Sequence, residues 1–116
     1  MRYKRNATNQ PRPGAAVTLE ILQVPGCPGA DLLAARLETL LPGRRGFQVT
    51  RRVVTSQADA ERLGMTGSPT LLADGTDPFS PSAGQPPSLS CRLYAGGQDR
   101  PGPAPSVARL RAALGL

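Results

Sequence analysis

Apolar residues follow two different spacings in the first half of the chain. Residues 17–24, VTLEILQV, are rich in β-branched and apolar side chains and end at a Pro-Gly pair, which predicts a buried central strand. Between 31 and 41, the leucines form one apolar helical face, and the pattern ends at a second Pro-Gly pair. The chain therefore begins with a strand, a turn and a helix.

Five more elements follow from the same spacings. They are a strand, a short helix, two strands and a C-terminal helix, at 47–54, 56–63, 70–73, 89–94 and from Ser106 onwards. The helix between the first two strands predicts that these strands are parallel neighbours, because such crossovers are right-handed. An Asp-Gly turn after the third strand predicts that the last two strands are antiparallel. We expect an α/β fold with the order β-α-β-α-β-β-α.

Length and composition predict one domain in a cytoplasmic protein. The chain has 116 residues, which suits a single core. Residues 1–16 are polar and are expected to be a disordered leader, 17–116 a single domain, and the proline-rich stretch 76–88 an irregular loop. The chain has no apolar run of about 20 residues that could span a membrane. Because the leader also lacks the apolar segment of a secretion signal, we expect a cytoplasmic protein without membrane association.

The net charge of +6 raises the question of nucleic-acid binding. Two arginine pairs, 44–45 and 51–52, flank Phe47, and this one aromatic residue is too little for a platform on which bases stack. A solvated basic face is the preferred interpretation. The oligomeric state is left open.

One of the two cysteines stands at the predicted junction of the first strand and the first helix, in VPGCPGA at 24–30. Thiol chemistry uses the thiolate, and the unpaired N–H groups and dipole of a helix N-terminus favour an anion there. Pro28 suits the first helical position because it lacks the N–H that would be unpaired. The chain contains no histidine, so a Cys-His pair is excluded. Cys27 is therefore the candidate nucleophile, against the alternative of a small inert residue in a turn.

Two short motifs resemble the active site of the thioredoxin superfamily. CPGA at 27–30 resembles its Cys-x-x-Cys motif with Ala30 in place of the second cysteine, and GSPT at 67–70 resembles its cis-proline loop. The resemblance implies a thioredoxin-like three-layer sandwich, with a four-stranded mixed sheet flanked by helices. It also implies site roles for four residues: Cys27 as nucleophile, Pro69 as cis-proline packed against it, and Gly67 and Ser68 as backbone contacts for a bound peptide or thiol.

Longer strings are similar to a group of small actinobacterial thioredoxin-like proteins, some of which carry the name alkylmercury lyase. These strings are GMTGSPT from 64, DGTDPF from 74 and SCRLY from 90. This similarity raises organomercurial or soft-metal handling, in which Cys27 and Cys91 bind mercury as thiolates and Asp31 or Asp77 supplies a proton. Two cysteines without histidine make an incomplete structural zinc site, so no bound metal is expected.

The preferred function is thiol-dependent redox or thiol exchange with an unknown substrate. A lone thiol leaves its mixed disulfide to be resolved by another thiol, from a low-molecular-weight thiol, a partner protein or Cys91. No other cofactor is expected, and the partner is expected at the Cys27 and Pro69 surface. Cys91 is predicted to be a buried strand residue that points away from Cys27. The alternative is a non-catalytic protein-binding module that uses Ser68 and Pro69.

Overall fold

The computed structural model describes residues 17–44, 46–79, 86–96 and 99–116, in which the chain forms seven strands and three helices. The strands are β1 (Val17–Gln23), β2 (Phe47–Val53), β3 (Thr66–Ser68), β4 (Thr70–Ala73), β5 (Ser88–Cys91), β6 (Tyr94–Gly96) and β7 (Asp99–Gly102). The helices are α1 (Pro28–Leu40), α2 (Gln57–Leu63) and α3 (Val107–Leu114). The predicted leader, and residues 80–85 of the predicted loop, lie outside the described residues.

The main sheet is mixed and has β1 at its centre, in the order β2-β1-β4. Strand β2 runs parallel to β1, as the crossover predicts, and β4 runs antiparallel to it. Leu19 and Ile21 of β1 belong to a core on one face, with α1 and α3, while Leu22 belongs to a second core with α2 on the other. Helices thus pack on both faces, and the predicted α/β class with a mixed sheet is confirmed.

The last predicted strand differs from the structure. Residues 89–94 do not form one strand beside β4, and the main sheet of the described residues has three strands rather than four. Instead, β5 pairs in parallel with β3, and β6 pairs antiparallel with β7. The difference begins directly after the Asp-Gly turn. There the returning chain forms a single β-bridge with β4, between Ala73 and Thr76, and the next residue, Asp77, forms an ion pair with Arg92 instead of continuing the strand pairing.

Helix ends agree with the predicted capping residues. The Ser56 hydroxyl accepts a hydrogen bond from the Asp59 N–H, and the Ser106 hydroxyl accepts one from the Arg109 N–H, each at 3.1 Å. Gly64 ends α2 in the left-handed conformation at φ 80°, which glycine adopts without a steric penalty. None of the described helices is long and apolar enough to cross a membrane.

Candidate functional site

Cys27 is the N-cap residue of α1, with Pro28 at the first helical position. Its carbonyl accepts hydrogen bonds from the N–H groups of Ala30 and Asp31 at 3.2 and 3.4 Å, and its side chain makes no capping bond. The thiol therefore stands at a helix N-terminus, as predicted. It is only 6% exposed and packs in the core beside Ala104, so it is far less open than a surface nucleophile.

The Pro69 loop, residues 67–70, packs against the N-terminal end of α1, where Cys27 lies. The Ser68–Pro69 peptide bond is cis, as the resemblance implies. A Cβ built on Gly29 would lie 3.0 Å from Cδ of Pro69, so the proline ring lies on the first turn of the helix that Cys27 caps. The Ser68 hydroxyl accepts a hydrogen bond from the Val24 N–H at 3.0 Å, which joins the loop to the turn before Cys27. The structure therefore brings Cys27, Ser68 and Pro69 together.

Tyr94 is a buried member of this site that the sequence did not reveal. Its hydroxyl donates a hydrogen bond to the Pro69 carbonyl, the Phe79 ring meets its ring edge-on at 5.6 Å, and the Arg92 guanidinium lies 4.4 Å from its ring centre. Burial raises the pKa of Tyr94 far above its usual value; the negative charges of Asp77 and Cys27 raise it further, and Arg92 opposes them. Tyr94 therefore links the Pro69 carbonyl to Phe79 and Arg92.

Arg92 contacts the Pro69 loop and forms a largely buried ion pair with Asp77. Its guanidinium lies 2.6 Å from an Asp77 carboxylate oxygen and donates to the Thr66 hydroxyl at 3.1 Å. The side chains of Arg92 and Asp77 are 14% and 10% exposed. The Arg92 N–H also donates to the Ser68 carbonyl at 3.0 Å, so the group expected to bind a peptide already has a partner. An arginine inside a predicted strand was the only sequence signal for this pair.

The prediction for Cys91 is wrong in two respects. Cys91 is exposed rather than buried, and it lies opposite Ser68 in the pairing of β3 with β5, rather than at the far end of the sheet. The cause is that β5 pairs in parallel with β3, the strand that precedes Pro69 in the sequence, instead of pairing antiparallel with β4. Both cysteines are free thiols.

A short segment, 103–105, covers the first turn of α1. A Cβ on Gly29 would lie 2.5 Å from the Pro103 carbonyl oxygen, so only glycine allows this approach. Arg36, one to two turns further along α1, donates to the carbonyls of Ala104 and Pro105 at 3.2 and 2.9 Å. Access to Cys27 is therefore limited by a segment bound to its own helix.

The two aspartates considered as proton donors in mercury chemistry each form an ion pair with an arginine. Asp31 is 73% exposed and its carboxylate oxygen lies 2.6 Å from Arg51, whereas Asp77 is bound to Arg92 in the interior. Each carboxylate is thus engaged by an arginine rather than held ready beside a thiol. In the described part of the chain, no group of three or more His, Cys, Asp or Glu side chains could hold a metal ion.

Two other surface features lie apart from the cysteines. Arg51 and Arg52 form salt bridges with Asp31 and Glu20, which reduces the charge they could offer to phosphate. A groove of about 490 Å³ runs between the second half of α1 and β2, and neither cysteine lines it. Arg45, of the other predicted basic pair, lies outside the described residues.

Comparisons of the chain with protein families, with curated proteins and with solved structures found no match.

Proposed function

We propose that this chain is a thioredoxin-like, cytoplasmic thiol-exchange protein that acts through Cys27. The observation that carries the proposal is the meeting of the Cys27 turn and the Pro69 ring on the first turn of α1. The order β2-β1-β4, with helices on both faces, agrees with the central part of a thioredoxin-like fold. In that interpretation β5 to β7 replace the fourth strand of the sheet.

The chemistry proposed for Cys27 is two successive exchanges. The Cys27 thiolate attacks one sulfur of a disulfide, a Cys27 mixed disulfide forms, and the other sulfur leaves as a thiolate with the electron pair of the broken bond. A second thiolate then attacks the mixed disulfide and releases Cys27. Since Ala30 stands where a second cysteine would be, this second thiol comes from a low-molecular-weight thiol, a partner protein or Cys91, which is exposed opposite Ser68.

The surrounding residues support the thiolate and fix its position. The positive end of the α1 dipole favours negative charge at the N-cap. Tyr94 holds the Pro69 carbonyl, and the Ser68 hydroxyl holds the Val24 N–H, so the loop and the turn before Cys27 keep a fixed relation. In this proposal Ser68, Pro69 and Gly67 are positioning residues rather than reacting groups.

The burial of Cys27 favours a second candidate, a non-catalytic thioredoxin-like binding module. A thiol that is 6% exposed and packed in the core can be a small apolar residue with no chemical role. The two candidates differ in how the thiol becomes reachable. A working thiol is reached in the folded protein, whereas an inert one is reached only when the protein unfolds.

Thiol exchange in low urea separates the two candidates. A Cys91→Ser protein is mixed with a small aromatic disulfide, and the rate of mixed-disulfide formation is followed as urea is raised below the unfolding transition. We expect a rate that hardly depends on urea, with Cys27→Ser, Cys91→Ser as the unreactive control. A rate that rises in step with the unfolded fraction would show an inert core thiol and reject the proposal.

A further inference from the structure

The backbone edge of β3 ahead of Pro69 is occupied by the chain's own strand β5. The Ser88 N–H donates to the Met65 carbonyl and the Arg92 N–H donates to the Ser68 carbonyl, each at 3.0 Å. In this register Cys91 lies opposite Ser68. A peptide that joins a sheet as an added strand needs unpaired backbone groups at the edge. At these carbonyls the chain itself supplies the donors.

Side chains hold β5 in this position. The Arg92 guanidinium binds Asp77 and Thr66, and a Cβ on Gly67 would lie 2.7 Å from the Arg92 Cβ, so the two segments are in close contact. Removing β5 would separate an ion pair whose side chains are only 14% and 10% exposed, and a largely buried charge without its partner is costly. The Gln57 amide also donates to the Pro87 carbonyl at 3.0 Å, just before β5 begins.

A second segment lies against the helix end that Cys27 caps. Segment 103–105 lies against Gly29 and is bound by Arg36, and Ala104 packs in the same core as the thiol. A cysteine within a polypeptide brings a chain on each side of its sulfur. These flanking residues would meet β5 on one side and segment 103–105 on the other.

On the basis of the thiol exchange proposed above, we infer that β5 excludes peptide strands from the Pro69 loop, and that Cys27 exchanges with small disulfides and thiols. A small molecule needs none of the backbone groups that β5 occupies. Arg92 is then a specificity-determining residue, because its ion pair with Asp77 keeps the edge closed. The inference names the substrate class of the same site.

Two probes with one leaving group test the substrate class. Each is a mixed disulfide with thionitrobenzoate, one of N-acetylcysteine amide and one of a short linear peptide with a central cysteine. The thiolate attacks the cysteine sulfur of the probe, the probe's disulfide bond breaks, and thionitrobenzoate leaves with the electron pair and absorbs visible light. The absorbance gives a rate constant for each probe.

The two cysteines of the chain control for each other. In Cys27→Ser the exposed Cys91 should react with both probes at similar rates, whereas in Cys91→Ser the peptide probe should react with Cys27 at least about tenfold more slowly than the small one, because it must give up backbone hydrogen bonds. Asp77→Asn in the Cys91→Ser protein weakens the hold on β5 and should narrow this ratio. Peptide and small probes of equal rate at Cys27 would overturn the inference.

Amide hydrogen exchange tests the closure of the edge without using Cys27. The Arg92 and Ser88 amides should exchange far more slowly than the exposed amide of Gly75 in the Asp-Gly turn. Rapid exchange at both would show an open edge and overturn the inference. If neither probe reacts with Cys27, the proposed function fails and the substrate class falls with it, while protected amides would still establish that β5 closes this edge.

Discussion

The two cysteines lie at the same proline loop in opposite surroundings. Cys27 is buried at a helix N-terminus, in the same core cluster as Ala104, whereas Cys91 is exposed on β5 opposite Ser68. On exposure alone, Cys91 would be expected to be the more reactive of the two thiols. Position favours Cys27, because it caps α1, where the positive end of the helix dipole favours an anion.

The contrast teaches that access and activation are supplied by different parts of this fold. Cys27 caps α1 and the Pro69 ring lies on the first turn of that helix, while in our proposal β5, Arg92 and segment 103–105 control access to the thiol. Cys91 is carried by one of the elements that restrict access. Changes to segment 103–105 should therefore alter access to Cys27 and leave Cys91, which lies on β5, nearly unaffected.

The largest effect is expected from breaking the ion pair behind β5. Arg92→Met keeps the packing volume beside Tyr94 but leaves the Asp77 carboxylate buried without a partner, which should lower the free energy of unfolding by roughly 3–5 kcal/mol. Urea denaturation measures the loss. The exposed pair of Arg62 and Asp59, at 3.1 Å, is the matched control, and Arg62→Met should cost less than about 1 kcal/mol.

The double variant Arg92→Met, Asp77→Leu distinguishes a buried charge from lost packing. Because it removes both charges, it should recover part of the stability that Arg92→Met loses. A double variant that is less stable than Arg92→Met by the full cost of Asp77→Leu would mean that the two residues act independently.

The next effect is expected from filling the contact between α1 and segment 103–105. In Gly29→Ala the new methyl group would lie 2.5 Å from the Pro103 carbonyl oxygen, so the backbone of one partner must move. Despite the better helix propensity of alanine, we expect a net loss of roughly 1–3 kcal/mol in urea denaturation. Thr39→Ala, an exposed change in the same helix, should be nearly neutral, and equal stability of both variants would contradict the contact.

A smaller effect is expected from Arg36→Met, which removes the donor to the carbonyls of Ala104 and Pro105. Water can replace these bonds in part, so stability should fall by only about 1 kcal/mol. Alkylation by iodoacetamide, analysed by mass spectrometry, should become several-fold faster at Cys27 and stay unchanged at Cys91. Equal acceleration at both thiols would indicate general loosening rather than uncovering of Cys27.

Much of the fold and part of the site could be predicted from local sequence. The first strand, α1 and the capping residues Ser56 and Ser106 depend on neighbours close in the chain, and they occur as predicted. The position of Pro69 on the helix turn that Cys27 caps was implied by the family resemblance alone. The position of Cys91 could not be predicted, because parallel and antiparallel pairings of one short strand present the same local pattern.

The contacts that close the site were the least predictable. Tyr94 and Arg92 are separated from Pro69 and Asp77 by most of the loop between β4 and β5, and nothing in the spacing of either residue identifies its partner. Arg36 reaches carbonyls of segment 103–105, and backbone acceptors have no sequence signature at all. Access to Cys27 therefore depends on long-range contacts with main-chain groups, which local sequence patterns do not predict.

The smallest expected effect at neutral pH concerns Tyr94, whose titration at high pH only one cysteine should shift. Burial raises the pKa of Tyr94, so the native protein keeps a phenol proton that the unfolded chain loses above about pH 10. Stability should be unaffected by this group below that pH and should fall as pH rises above it, by at most about 1.4 kcal/mol per pH unit, and Tyr94→Phe should abolish this decline.

Because the Cys27 charge adds to the rise in the pKa of Tyr94, Cys27→Ser should move the phenolate absorbance change of Tyr94 to lower pH. Cys91→Ser should leave it in place, since Cys91 is not among the charges that act on this ring. The difference spectrum against Tyr94→Phe isolates the signal from that of the other tyrosine, Tyr3. If the two serine variants shifted the titration equally, the charge of Cys27 would have no special effect on Tyr94. The proposal that Cys27 belongs to the site around Pro69 would then be contradicted.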